Sequence, residues 1–322
     1  MGSFKNIVVA GGGVLGSQIA FQSAYCGFNV TIWLRSEGSI SRTQPKLDNL
    51  KKAYLNAIEA MAGPDSQAAW CRGIADKDSF NREDCIARVE KAYSSIKIEL
   101  DLKKAVEDAD LVIEAVAENE AEKVEFYKKL AACLPEKTVI VTNSSTFLPS
   151  TFAQYTGRPE KYLSLHFANT IWRNNTAEIM PHPGTDERYF NQIMEFAEEI
   201  RMIPLPVRKE KAGYLLNSLL VPFLSCAMDL VANGISDPES IDKAWTIGTG
   251  APVGPFQILD IVGLKTAYNI AEQYRKVPAF LKPILKKMLL PYNYEGQVQM
   301  LKKYIDAGKL GVSTGEGFYK YK

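Results

Sequence analysis

The chain has 322 residues, a length that suits two domains of roughly 150 residues better than one small module. Lys and Arg total 38 against 37 Asp and Glu, a formal charge of +1, so the basic excess that coats nucleic acid is missing. With 46% hydrophobic and 23% charged residues the chain can bury a sizeable core, which sets aside disordered and fibrous classes.

The apolar run 6–10 ends in Gly11-Gly12-Gly13-Val14-Leu15-Gly16, and a helical pattern follows to residue 24, which predicts strand, glycine turn and helix. A second strand at 29–34 completes a βαβ unit, so the two strands are expected to pair in parallel. Residues 46–95 are polar and helix-prone and read as an inserted helical pair. Strand-like runs return at 96–100, 111–116, 138–142, 162–167 and 203–207. Between them, 119–134 places Val124, Tyr127, Leu130, Ala131 and Leu134 on one helical face, as a helix covering a sheet requires. This alternation predicts an α/β fold, a Rossmann-type doubly wound sheet.

After residue 207 the pattern turns helical, at 212–233, 238–247, 256–276 and 294–307, so an all-helical C-terminal domain is expected. The expected division is 1–207 and 208–322. The apolar run 214–232 is interrupted by Asn217, Pro222 and Asp229, and reads as a helix buried on most sides rather than a membrane span. The amino terminus lacks the basic, apolar and cleavable pattern of an export signal. Five cysteines (Cys26, Cys71, Cys85, Cys133, Cys226) form no CxxC pair, against a zinc site or a disulfide framework. Free thiols fit a reducing, cytoplasmic compartment.

Gly11, Gly13 and Gly16 have the GxGxxG spacing: one glycine for the turn, one for close approach of a pyrophosphate, one for helix–strand packing. Val14 and Leu15 lie inside this loop, and the helix amino terminus offers free N–H groups to phosphates. An acidic residue about 20 positions on would grip the ribose of NAD, but Leu34 stands there, followed by Arg35 and Ser36. A guanidinium can pair with a 2′-phosphate, which favours NADP(H) over NAD(H). The competing reading makes Arg35 an ordinary solvated loop residue.

Only two histidines are present, His166 and His182. His166 stands at the carboxyl end of the 162–167 strand, where open α/β sheets bind ligands, and Glu178 follows in a segment able to form a neighbouring strand. Asn143-Ser144-Ser145 ends another strand, and Asn217 opens the apolar helix. His182, between Pro181 and Pro183, is expected in an exposed loop with a structural role. Bland readings compete: a core histidine, turn serines that satisfy backbone groups, and a packing asparagine.

Over essentially its whole length the chain resembles the L-3-hydroxyacyl-CoA dehydrogenase family. The resemblance rests on the glycine turn, Asp110 to Ala115 with Glu118, Asn143-Ser144-Ser145, His166-Phe167, Ala212 to Asn217, Gly250 to Phe256 and Thr314 to Tyr319. It implies His166 as the base, Glu178 as its partner acid, Ser145 and Asn217 on the reacting oxygen, and Glu118, Lys123 and Asn143 on the nicotinamide and its ribose. Glu118 and Lys123 also read as ordinary first-turn helix charges. Where the family usually has His-Phe-Phe-Asn-Pro, this chain has His166-Phe167-Ala168-Asn169-Thr170, followed by Trp172 and Arg173. A short 3-ketoacyl thioester such as acetoacetyl-CoA is the leading substrate, and the resemblance also implies a homodimer. Two alternatives stand beside it: an L-gulonate 3-dehydrogenase-like enzyme binding a free sugar acid through Arg173 or another cation, and a crystallin-like nucleotide-binding protein without turnover.

Overall fold

The computed structural model describes residues 2–277 and 292–321, in two compact units, Met1–Leu215 and Leu216–Lys322. The first unit extends past Val207 because the following segment packs within it: Val207 donates its N–H to Ile179, and Leu215 donates its N–H to Glu178.

The first unit is built on an eight-stranded sheet: β1 (Asn6–Ala10), β2 (Asn29–Trp33), β3 (Lys97–Glu99), β4 (Leu111–Glu114), β5 (Val139–Thr142), β6 (Tyr162–Phe167), β7 (Thr176–Pro181) and β8 (Ile203–Pro206). Their order is β3-β2-β1-β4-β5-β6-β7-β8, and every neighbouring pair is parallel except β6 with β7. Side chains alternate between two cores on opposite faces. Ile7 and Val9, with Leu111, Ile113, Val139 and Val141, enter one core; Val8, Ala10, Val112 and Ile140 enter the other. Burial on both faces explains why these strands read as unbroken apolar runs. Because β2 and β4 flank β1, strand order reverses there, and a crevice opens at the carboxyl ends.

Helix α1 (Val14–Tyr25) follows the glycine turn. Helix α2 (Glu37–Ala62) starts well before the expected residue 46 and runs through Pro45. A proline in a helix interior signals a boundary, but burial of Thr43, Leu47 and Leu50 on this helix holds it together across that position. The short α3 (Ser66–Ala69) leads to α4 (Arg82–Ser95), which completes the inserted pair. Helix α5 (Leu102–Val106), α6 (Glu120–Ala131) and α7 (Glu187–Glu199) complete the layers.

The second unit contains α8 (Leu216–Ala232), α9 (Pro238–Thr249), α10 (Pro255–Val262), α11 (Leu264–Arg275) and α12 (Tyr294–Asp306). The expected helix at 256–276 is two helices, split at Gly263, whose φ of 93° leaves the helical region. Two buried carboxylates organise this unit. Asp242 accepts N–H bonds from Phe256 and Gln257 at the start of α10 and a hydroxyl bond from Tyr319. Asp260 accepts the N–H groups of Phe318 and Tyr319 and the Tyr321 hydroxyl. A Cβ at Gly317 would lie 2.0 Å from the Asp260 carboxylate, so the Gly317-Phe318-Tyr319 motif is an anchoring device.

Helix α8 is not buried on most sides, as the apolar run suggested: Leu224, Ser225, Ala227 and Met228 are buried, whereas Leu216, Leu219 and Leu230 are exposed, Leu219 by 75%. Among the described residues no helix is long and apolar enough to cross a membrane.

Candidate active site

The glycine turn lies against the sheet at the switch point. A Cβ at Gly11, where φ is 122°, would lie 2.4 Å from the Ala115 carbonyl oxygen, and one at Gly16 would lie 2.1 Å from that of Gly11. Both positions are closed by backbone that cannot yield. Gly13 differs, since a Cβ there would meet nothing within 4 Å. It faces the open crevice and precedes α1, which carries neither a side-chain cap nor an acidic first-turn residue. Free N–H groups and a positive dipole end therefore point where a pyrophosphate would lie. Two cavities share Gly13, Ala115 and Val116: one of about 440 Å³ toward Arg35, one of about 230 Å³ toward Ser145. Together they fit a dinucleotide laid across the turn. A larger cavity of about 810 Å³ lies by the amino ends of β1 and β2 and includes none of these residues.

At the first end, Arg35 pairs with Glu122 at 2.8 Å, and both are well exposed. Arg35 is thus an exposed loop arginine with one ion-pair partner. Sequence reasoning missed Ser39, Arg42 and Lys46, which line the same cavity from α2. Their spacing becomes informative only once α2 is known to begin at Glu37. Ser36 stands at the amino cap of this helix.

At the other end, Val14, Leu15, Gly16, Glu118, Lys123, Asn143, Ser144 and Ser145 line one wall. Lys123 is not an ordinary helix charge. It is 1% exposed and pairs with fully buried Glu114 at 2.7 Å and with Glu118 at 3.1 Å. Glu114 also accepts bonds from Tyr127, Thr142 and the Val116 N–H. One cation thus satisfies two carboxylates in a site where an unpaired charge is expensive. Burial pushes the Glu118 carboxyl up, but the Ser144 hydroxyl and the Lys123 ammonium outweigh it and hold the group below its ordinary range. Asn143 accepts the Phe167 N–H through its side-chain oxygen, tying the end of β5 to that of β6.

His166 lies directly opposite Glu178 in the antiparallel register of β6 and β7. Its Nδ1 is 2.9 Å from Glu178 Oε2, and its Nε2 is 3.0 Å from Ser145 Oγ. Glu178 Oε1 accepts the Leu215 N–H at 2.8 Å. With the carboxylate accepting, Nδ1 carries the hydrogen and Nε2 accepts from the Ser145 hydroxyl. An imidazole so placed has an orienting carboxylate on one nitrogen and a hydroxyl at the edge of the nucleotide cleft on the other, as proton transfer to a reacting oxygen requires. The structure thus brings His166, Glu178 and Ser145 together beside Glu118, Lys123 and Asn143. Asn217 belongs to the second unit, in the first turn of α8.

His182 is buried rather than exposed. Gly184 donates its N–H to Nδ1 at 3.0 Å, so Nε2 donates to the Pro159 carbonyl at 2.8 Å.

A glycine turn at the switch point, with a polar histidine–carboxylate pair beside it, defines a dinucleotide-dependent oxidoreductase architecture. Residues 6–211 match the family model described as 3-hydroxyacyl-CoA dehydrogenase, NAD binding domain, and residues 213–321 match the C-terminal domain of the same family. The chain belongs to the 3-hydroxyacyl-CoA dehydrogenase family. It is 30% identical to the mitochondrial hydroxyacyl-coenzyme A dehydrogenase of Homo sapiens, over 99% of this chain and 91% of that protein. It is also 30% identical to a probable 3-hydroxybutyryl-CoA dehydrogenase of Bacillus subtilis, over 98% and 97%. A solved structure of a diketoreductase, described as a dual catalyst of dicarbonyl compounds, matches with a TM-score of 0.83 and 46% identity, covering all of both chains.

Proposed function

We propose that the protein interconverts a 3-hydroxy and a 3-keto group on a short acyl thioester, such as 3-hydroxybutyryl-CoA and acetoacetyl-CoA. The observation that carries this reading is His166 held between Glu178 and Ser145 at the edge of the nucleotide cleft. When bound, the nicotinamide would exchange a hydride with the carbon bearing the oxygen. His166 takes the alcohol proton on Nε2 during oxidation and returns it to the ketone oxygen in the reverse direction. Glu178 holds Nδ1–H and favours the imidazolium, and Ser145 hydrogen-bonds the reacting oxygen. Asn217 enters only through the family resemblance, and Asn217→Ala tests it.

The cofactor part of the proposal is NADP(H). No acid stands at the end of β2, and Arg35, Arg42 and Lys46 gather at that end of the cleft. A 2′-phosphate would take the place of Glu122 on Arg35. A second substrate reading, a dicarbonyl compound without CoA, is favoured by the 46% identity to the diketoreductase and by Ala168, Trp172 and Arg173 after the histidine. Homodimerisation through the second unit is also proposed, supported by exposed Leu219, Ile235, Ile247 and Ile261. Light scattering that gives a monomer at micromolar concentration overturns it. The five free thiols support a cytoplasmic location.

The deciding experiment is a steady-state matrix of acetoacetyl-CoA, longer 3-ketoacyl-CoAs, L-gulonate and dicarbonyl compounds lacking CoA against NADH and NADPH. The thioester proposal expects the highest kcat/KM with acetoacetyl-CoA, and a higher value with a CoA-free dicarbonyl compound replaces it by the second reading. Preference for NADH rejects the 2′-phosphate site.

A further inference from the structure

Within the 212–217 segment the resemblance assigns a role to Asn217 alone, yet two contacts converge on Tyr214 and a third is made by the residue that follows it. Its ring stacks on the His166 imidazole, with centroids 4.4 Å apart and planes 12° from parallel. Its hydroxyl donates to the Ser144 carbonyl at 2.7 Å. The next N–H in the chain, that of Leu215, is the one that holds Glu178. The side chain is buried, and the backbone sits in the left-handed region, at φ 49° after Gly213 at φ 81°. An aromatic residue adopts that conformation only where its surroundings over-determine it. Here the ring engages His166, the following N–H engages Glu178, and the hydroxyl engages the turn that carries Ser145.

Glu178 and Ser145 hold the imidazole by its two nitrogens. Bonds at those points oppose sliding of the ring but only weakly oppose small turns about its Cβ–Cγ bond, which carry both nitrogens out of plane. A parallel ring packed on the imidazole face opposes that rotation directly. The Ser144 carbonyl lies in the turn that delivers Ser145, so the tyrosine hydroxyl also fixes the distance between that turn and the stacked pair.

We propose that Tyr214 is a positioning residue: its ring sets the plane of His166, and its hydroxyl locks that plane to the Ser145 turn. The inference rests on the reading of His166 as the proton carrier. Aim matters because a small misplacement of a reacting group slows the chemistry far more than the packing energy of a single ring would suggest.

The test uses the full-length protein and its Tyr214→Phe and Tyr214→Leu variants. Turnover is followed on whichever ketone the substrate matrix selects, and cofactor Kd by nicotinamide fluorescence. Long-range 1H–15N spectra of the imidazoles in the substrate-free protein report which nitrogen bears hydrogen, and two histidines make assignment direct. Tyr214→Phe keeps the stack and loses the tether, so kcat falls about 3- to 10-fold with Nδ1–H retained. Tyr214→Leu loses both, so kcat falls about 100-fold while KM and cofactor Kd stay within about two-fold, and both His166 nitrogen signals move as the bonds to Glu178 and Ser145 lengthen. Tyr214→Leu with kcat within about two-fold of the parent, or with an unchanged imidazole spectrum, overturns the proposal. Should that variant not fold, an unchanged kcat in Tyr214→Phe overturns the tether. If the parent protein reduces none of the ketones, the proposed function fails, and the spectra still decide the role of Tyr214.

Discussion

His166 and His182 sit at opposite ends of one antiparallel strand pair, and both are nearly buried, at 5% and 8% exposure. Both ring nitrogens of each are engaged. The difference lies in the partners. His182 is held by two backbone groups, an N–H on Nδ1 and a carbonyl on Nε2, which fix one neutral tautomer and give it no carboxylate to favour the charged form. His166 is held by side chains, a carboxylate on one nitrogen and a hydroxyl at the cleft edge on the other. Burial and hydrogen-bond number do not separate the two imidazoles; the chemistry of their partners does, and the proposed role of His166 rests on that difference.

Replacing each histidine in turn is the strongest way to break this comparison. His166→Ala is expected to lower kcat by about 1,000-fold with cofactor affinity retained, read by turnover and nicotinamide fluorescence. His182→Gln should leave kcat within about two-fold and cost about 1–3 kcal/mol in chemical denaturation, because the two backbone groups lose their partner. Equal activity losses from the two variants would erase the distinction. Next in size is Glu178→Gln. Its amide nitrogen faces Nδ1 as a donor in one orientation, and even as an acceptor its oxygen cannot balance an imidazolium, so kcat should fall about 100-fold. A variant that retains full turnover would reduce Glu178 to a packing group.

Much of this site is legible in the sequence because strands place it. The run 162–167 coincides with β6, and the antiparallel register then puts His166 opposite Glu178. The glycine turn is equally readable, since its spacing reflects backbone contacts within a short stretch. Other features depend on contacts distant in sequence. Lys123 looks like a surface helix charge until Glu114, nine positions earlier on β4, is found facing it in the core. Tyr214 and the true start of α8 stay hidden because a left-handed Gly213-Tyr214 pair interrupts an apolar run that local periodicity reads as continuous helix. The exposed loop expected for His182 fails for a similar reason. Flanking prolines signal a turn, but they do not reveal that the turn packs its ring against Pro159 and Tyr162.

The buried network behind the cleft allows the comparison of partners to be sharpened in terms of stability. Lys123→Met removes the ammonium that serves Glu114, leaving a fully buried carboxylate with hydroxyl and N–H donors but no cation. The expected loss is about 3–5 kcal/mol in denaturant unfolding, and Glu114→Gln in the same chain should recover part of it. An additive double variant would mean that the pair is not coupled.

The smallest effect concerns Glu118 and acid. Burial raises its carboxyl pKa, but the Ser144 hydroxyl and Lys123 more than offset this and hold the group below its ordinary range. A carboxyl whose folded-state pKa is depressed adds stability above its unfolded value of about 4.3, and that contribution drains away as pH falls through the lower folded value. Unfolding free energy should therefore decline below about pH 4.3, and Glu118→Gln should flatten that acid limb while leaving its slope at neutral pH unchanged. Thermal midpoints from about pH 3 to about pH 7, compared between parent and variant, measure the difference. Parallel curves would show that Lys123 is committed to Glu114 alone, and that the wall of the cleft is held by one buried pair rather than by a shared cation.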